Sequence, residues 1–408
     1  MSFMTSSPPI SRLTNEILQK IFSKTIPERS WFELEPNSEL TQFALVSKRW
    51  ADVAKRELLT HLYLSESSDE AKRLKSVRDM LRTSPASANI IRGIHFGSWL
   101  ADEEEIENIL LGEILTLCPN LVEVSLQGYM HSTTLVIQAL AACTKLKKVY
   151  ISDTPMENQM GCDPFCTVPQ FLTLLQGWPA IESVTLSTRA IGSRGLADQE
   201  EEEEVVAKST WVTIANSCPL LTRFECPCYA ATRDQYFLAL SEIAPSLSSL
   251  EFDNSEFEKS PMTESTLVTI FNRWSANMTT LTITHSTPDP DPKIPSPAYY
   301  SARLDPILSA MPLLRELSLP SSYLSPSSLS RGFGALAVLQ YEIWAEEMAA
   351  MAFALREEGS MPALRRLKVT LRQRPRKLSS KSKKLLEDLR VVCKSRGIDF
   401  NDERLHDY

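Results

Sequence analysis

From Leu13 the apolar positions recur with a helical period: Leu13, Ile17, Leu18, Ile21 and Phe22 fall at i, i+4, i+5, i+8 and i+9, one face of a helix. Thr14 is suited to cap that helix, and Glu16 sits favourably in its first turn. A second stretch, LTQFALVSKRWADVAKREL, spaces Leu40, Phe43, Val46, Trp50 and Val53 three or four apart. It predicts another helix with one wide apolar face, joined to the first by a loop from Pro27 to Ser38. Two or three short helices in about 50 residues bury too little surface to be stable alone, so their apolar faces are expected to pack against something else, such as a partner.

From residue 56 a different pattern sets in. A phrase recurs in which a small or apolar residue, often followed by Pro, leads into apolar-x-x-apolar-x-apolar. Its clear copies are CPNLVEVSL at Cys118, CTKLKKVYI at Cys143, WPAIESVTL at Trp178, APSLSSLEF at Ala244, MPLLRELSL at Met311 and MPALRRLKV at Met361. Weaker copies begin at Arg56, Ser275 and Phe333, and ASANIIRGIHF from Ala86 and CPLLTRFEC from Cys218 complete the series. Successive starts lie about 22 to 40 residues apart, which overlaps and in places exceeds the leucine-rich-repeat range.

The end of each phrase is rich in Val, Ile and Leu, as a short parallel strand buried on one side requires. Between phrases run helical stretches such as 103–117, 133–142, 211–217, 263–277 and 345–356. One such unit cannot hide its own apolar face, so the units are expected to stack into a curved solenoid. With strands about 4.7 Å apart, some eleven units give a concave sheet roughly 45 to 50 Å long, suited to a protein domain rather than a metabolite. A final helix over 379–395 and a closing strand over 397–400 are expected to cap the array.

Composition agrees with many short elements: 43% of residues are hydrophobic, and Pro (25) outnumbers Gly (12). The net charge of -8 excludes a phosphate-wrapping role as a first reading, because binding by counterion release needs clustered cations. The start, MSFMTSSPPISRL, has no cationic segment leading into an apolar one, and no apolar run of about 18 residues occurs. A protein of the cytoplasm, the nucleus or both is therefore expected, without a membrane partner. Its eight cysteines are expected to be reduced.

Candidate chemistry is sparse. Cys118, Cys143 and Cys218 recur at one phrase position, which suits a tight buried site for a small side chain. Cys162 with Cys166, and Cys226 with Cys228, lack the C-x-x-C spacing of a zinc site. His61, His95, His131, His285 and His406 are scattered singly, and no nucleophile elbow, phosphate loop or dinucleotide fingerprint is present. No catalytic residue, cofactor or metal is expected. The acidic run Glu200 to Glu204 and the stretch 288–297, where Asp and Pro alternate, read as solvated insertions. The basic cluster of Arg372, Arg374, Arg376, Lys377, Lys381, Lys383 and Lys384 reads first as a solvated loop before the last helix, with a nuclear-import signal or a contact for an acidic partner as the alternatives.

Two stretches carry a family likeness: Leu13-Thr14-Asn15-Glu16-Ile17-Leu18-Gln19-Lys20-Ile21-Phe22 and Leu45-Val46-Ser47-Lys48-Arg49-Trp50. Together they resemble the F-box family over about residues 8 to 60, with threonine at position 14 where the family has proline and a longer loop from Pro27 to Leu40. The remainder resembles the leucine-rich repeats that accompany F-boxes, although Tyr129, Thr154 and Ser255 stand where the common repeat has its asparagine ladder.

The resemblance implies an α/β chain with a helical F-box module over 1–60 and a leucine-rich-repeat-like solenoid over 61–408, its parallel sheet on the concave side. It further implies the substrate-recognition subunit of an SCF-type ubiquitin ligase, itself not an enzyme. Leu13, Ile17, Leu18, Ile21, Phe22, Leu45, Val46 and Trp50 would dock on a Skp-family adaptor and so reach a cullin, and the repeats would hold a protein substrate. The rival expectation is a non-catalytic interaction scaffold whose F-box-like start is degenerate and joins no ligase.

Overall fold

The computed structural model describes residues 13–25, 42–65, 70–98, 104–128, 134–152, 165–186, 213–226, 233–253, 262–284, 304–320, 323–330, 332–343, 347–371 and 380–404. The segments 27–40, 200–204 and 288–297 lie outside these residues, as do Tyr129, Thr154, Ser255, Cys162, Cys228, His131, His285, His406 and the cluster from Arg372 to Lys377. The chain divides into two compact units, Met1–Asn158 and Gln159–Tyr408, so the N-terminal helices belong to the same unit as the first strands.

In the first unit, helices α1 (Asn15–Thr25) and α2 (Lys48–Thr60) pair and lead directly into strand β1 (His61–Ser65). Next come α3 (Glu70–Thr83), α4 (Pro85–Ile90), β2 (Gly93–Ser98), α5 (Glu104–Leu117), β3 (Glu123–Gly128), α6 (Thr134–Ala142) and β4 (Lys148–Ser152). The strands pair in parallel and in chain order, with His61 opposite Gly93, Gly93 opposite Glu123 and Glu123 opposite Lys148.

The second unit contains α7 (Val168–Gln176), β5 (Ser183–Leu186), β6 (Arg223–Cys226), α8 (Arg233–Ile243), β7 (Ser249–Asp253), α9 (Glu264–Trp274) and β8 (Thr280–Thr284). It continues through α10 (Asp305–Ser309), β9 (Glu316–Pro320), a 3-10 turn (Pro326–Ser330), β10 (Val338–Ile343), α11 (Met348–Arg356), β11 (Arg366–Leu371), α12 (Ser380–Ser395) and β12 (Asp399–Arg404). These strands too pair in parallel with their neighbours in sequence.

Every recurring phrase ends in a strand. In most copies the strand opens five residues after the phrase begins, as from Cys118 to Glu123, Cys218 to Arg223 and Met361 to Arg366. The period-2 alternation sends one side chain in two to the core: Phe224, Leu250, Leu281, Leu317, Leu339 and Leu367 are fully or almost fully buried on successive strands. Helices supply the other half of the core, including Phe171, Phe237, Phe271 and Trp274, all at 0% exposure. The Trp274 indole keeps its donor satisfied, giving its N–H to the Ala244 carbonyl at 2.9 Å.

Irregular spacing in sequence is reconciled with regular pairing at the turn before each strand. There the carbonyl of one unit accepts two consecutive N–H groups from the next: Val122 and Glu123 on Arg92, Ser248 and Ser249 on Thr222, Thr279 and Thr280 on Ser248, Arg315 and Glu316 on Thr279. Hydroxyls reinforce the same carbonyls, from Thr222 to Glu182 (3.2 Å), Ser248 to Thr222 (3.1 Å) and Thr279 to Ser248 (3.0 Å). A backbone-and-hydroxyl ladder thus holds the junctions in register, whatever the length of chain between them.

Three expectations are corrected. The second N-terminal segment is not one helix: a helical turn at 42–44 ends in a turn at Leu45 and Val46 before α2 begins. The cause is Ser47, which adopts extended backbone and accepts the Trp50 N–H at 3.2 Å, starting a new helix. Residues 213–217 form turns and not a helix, with Asn216 in the left-handed region at φ 57° and its N–H given to the Glu242 carbonyl. Finally, α3, α4, α7, α8 and α10 form outside the stretches that the periodicity picks out.

Candidate functional site

The α1 and α2 pair is built around very little. Leu18, Phe22, Val53 and Ala54 are its buried residues, with Leu13, Phe43, Ala44, Trp50 and Leu58 packed partly buried around them. Three rings interlock: Phe22 stacks on Phe43 at 4.7 Å between centroids, and Trp50 meets Phe22 edge-on at 5.4 Å and Phe43 at 6.0 Å.

Thr14 starts α1 as expected, its hydroxyl accepting the Ile17 N–H at 3.4 Å and its carbonyl the Leu18 N–H at 3.0 Å. The Glu16 carboxyl is held below its ordinary value, first by its own backbone N–H, then by the Thr14 hydroxyl, with the Arg49 guanidinium a smaller influence.

Geometry divides the expected docking residues into three sets. Leu18 and Phe22 are fully buried inside the pair, so they have no surface to offer and their role is core. Leu13 and Trp50 are partly buried against that core. Ile17, Ile21, Leu45 and Val46 face outward at 45%, 38%, 83% and 57% exposure. Adjacent positions on a helix point about 100° apart, so Ile17 and Ile21 form one stripe and Leu18 and Phe22 another. The second stripe packs against Val53 and Ala54 of α2. Other exposed apolar side chains, such as Ile106, Ile109, Leu135 and Phe353, lie on later helices.

The non-core faces of the sheets are polar. In the first unit that face carries His61, Tyr63 and His95, with Tyr63 and His95 stacked at 4.6 Å and the two imidazoles 6.0 Å apart. The His61 ring fills the space above Gly93, where an added Cβ would come within 2.3 Å of it. Burial lowers both imidazoles from their ordinary value, and His95, where the nearby His61 adds to the effect, is lowered to about 4.

In the second unit Thr185, Glu225, Glu251, Thr282, Ser318, Gln340, Lys368 and Asn401 succeed one another across the sheet in register. Burial raises the Glu251 carboxyl above its ordinary value, and the neighbouring Glu225 carboxylate adds to the effect.

Cys118 and Cys143 sit where the phrase predicts, at the junction of helix and strand, whereas Cys218 follows the non-helical stretch 213–217. Cys118 and Cys218 are buried, and Cys143 is half-buried. Burial pushes the Cys118 and Cys218 thiols up to about 12 and Cys143 to about 11, so all three are protonated at neutral pH. Two donate to helix carbonyls, Cys143 to Ala139 at 3.2 Å and Cys218 to Leu175 at 2.9 Å. Among the described residues no group of three His, Cys, Asp or Glu side chains is arranged to hold a metal ion, and no helix is long and apolar enough to cross a membrane.

Sequence reasoning missed the Arg49 contact across the pair, the Tyr63 and His95 stack, and the hydroxyls of the ladder. Each depends on residues about thirty apart in the chain becoming neighbours. No protein-family model matches this chain, and no curated protein matches it either.

Proposed function

We propose that the chain is the substrate-recognition subunit of an SCF-type ubiquitin ligase. In this reading α1 and α2 are an F-box module that docks on a Skp-family adaptor and through it a cullin. The strand and helix units form a curved leucine-rich-repeat-like solenoid whose polar sheet face takes a protein substrate. The chain performs no chemistry of its own; it raises the effective concentration of substrate lysines near a conjugating enzyme held elsewhere in the complex.

The observation that carries the reading is the outward apolar set. Among the described residues the helix pair buries four apolar side chains and leaves Ile17, Ile21, Leu45 and Val46 exposed, within the two stretches that resemble the F-box. A second subunit over that surface would recover burial that the pair itself does not achieve, on the order of 1 to 3 kcal/mol per well-placed anchor.

The test is capture of a purified Skp-family adaptor by the full chain and by Ile17→Asp. The variant should lose the adaptor while its circular dichroism melt stays nearly unchanged, because Ile17 is 45% exposed. Undiminished capture by Ile17→Asp, or no capture by the unaltered chain, refutes the proposal. The second of these results is the one the scaffold reading requires.

A further inference from the structure

Arg49 lies in the first turn of α2 and reaches back to the start of α1. Its Nε donates to Asn15 Oδ1 at 2.7 Å, and its Nη2 donates to the Leu13 carbonyl oxygen, across 34 and 36 residues of sequence. Stabilisation of either helix does not explain this placement. A cation near a helix N-terminus opposes the macrodipole, and Arg49 stands near two of them, with no acidic residue in the first turn of α2. The nearby Glu16 carboxylate, itself lowered slightly by Arg49, offsets part of that cost.

What the guanidinium adds is direction. The contacts of Leu18, Val53 and Ala54 are apolar and non-directional, and the directional ring contacts of Phe22 with Phe43 and Trp50 fall about two turns after Asn15, so the start of α1 keeps freedom to rotate or slide. Two hydrogen bonds from one rigid planar group to a carbonyl and a side-chain amide remove that freedom. They also tie together the two segments that carry the outward residues: Leu45 and Val46 precede Arg49 by four and three positions, and Ile17 follows Asn15 by two.

We infer that Arg49 is a positioning residue for adaptor capture, fixing α1 against the Leu45–Trp50 segment so that Ile17, Ile21, Leu45 and Val46 are presented in one arrangement before the partner arrives. The inference rests on the adaptor reading above and adds to it the residue that preorganises the surface, without itself touching the partner.

The experiment measures dissociation constants of the full chain for a purified Skp-family adaptor, together with hydrogen exchange of the α1 amides. Arg49→Ala should bind roughly tenfold more weakly while Leu18 to Phe22 keep their protection. Arg49→Lys should recover little, since one ammonium cannot serve both acceptors in a fork, whereas Asn15→Asp, which keeps an acceptor in place, should bind as the unaltered chain does.

Equal affinity for Arg49→Ala and the unaltered chain, with Ile17→Asp still losing capture, overturns this inference alone. So does a loss of affinity that tracks loss of α1 protection in both Arg49→Ala and Asn15→Ala, since Arg49 would then be a stability residue only. Failure of the unaltered chain to bind removes the adaptor reading and the inference together.

Discussion

Ile21 and Phe22 are neighbours in α1, both large and apolar, and replacing each with alanine should have opposite consequences. Phe22 is at 0% exposure, stacked on Phe43 at 4.7 Å and edge-on to Trp50 at 5.4 Å. Truncating a buried phenylalanine costs about 3 to 5 kcal/mol in lost transfer energy and cavity, including the aromatic pairing of about 0.5 to 1.5 kcal/mol per ring contact.

Among the described residues Leu18, Val53 and Ala54 are the other buried members of this cluster, so that loss is large against what so small a core supplies. Phe22→Ala should therefore release α1 from α2 as a local event. Ile21 is 38% exposed and belongs to the other stripe, so Ile21→Ala should cost under about 1 kcal/mol and leave the pair intact.

Hydrogen exchange read by mass spectrometry on peptides covering 15–25 distinguishes the cases. Protection should collapse in Phe22→Ala and persist in Ile21→Ala, while the peptides of β6 to β8 are unaffected in both. Similar collapse in the two variants, or retained protection in Phe22→Ala, would refute the division of α1 into an inward and an outward stripe.

Two further outcomes follow from the same geometry. His95 has a folded value of about 4 against an ordinary 6.5, so the unfolded chain takes up the proton first as the pH falls. Stability should be level above about pH 6.5 and drop by roughly 3 kcal/mol on acidification to pH 4, a loss that denaturant titrations should find reduced in His95→Phe; an identical pH dependence in the two proteins would count against it. Arg396 clamps the end of α12 by donating to the carbonyls of Leu355 (2.8 Å), Ser360 (2.6 Å) and Met361 (3.1 Å) and to the Ser360 hydroxyl (3.2 Å). Arg396→Ala should cost about 1.5 to 3 kcal/mol and accelerate exchange in β12, and unchanged exchange there would show that the clamp contributes nothing.

The repeats are the most legible part of this chain. The phrase from Cys118 ends in β3, that from Ala244 in β7 and that from Met361 in β11, because apolar-x-apolar alternation is a local property that any half-buried strand must show. The helices between them are less legible: α8, RDQYFLALSEI, buries Tyr236, Phe237, Leu240 and Ile243, yet polar residues interrupt its apolar face. The break at Leu45 and Val46 is hidden for a related reason, since the three-to-four spacing continues through it and the Ser47 cap interrupts the helix all the same.

What the linear order of residues decides here is where strands form and where α1 starts, since each follows from side chains within a turn or two of one another. What only the tertiary structure decides is which apolar stripe of α1 is used up, that Arg49 bridges to Leu13 and Asn15, and that Tyr63 stacks on His95. Those outcomes depend on the crossing of two helices and the register of two strands. Such non-local pairings are selected by the packing of the whole unit and leave no periodic trace in the chain.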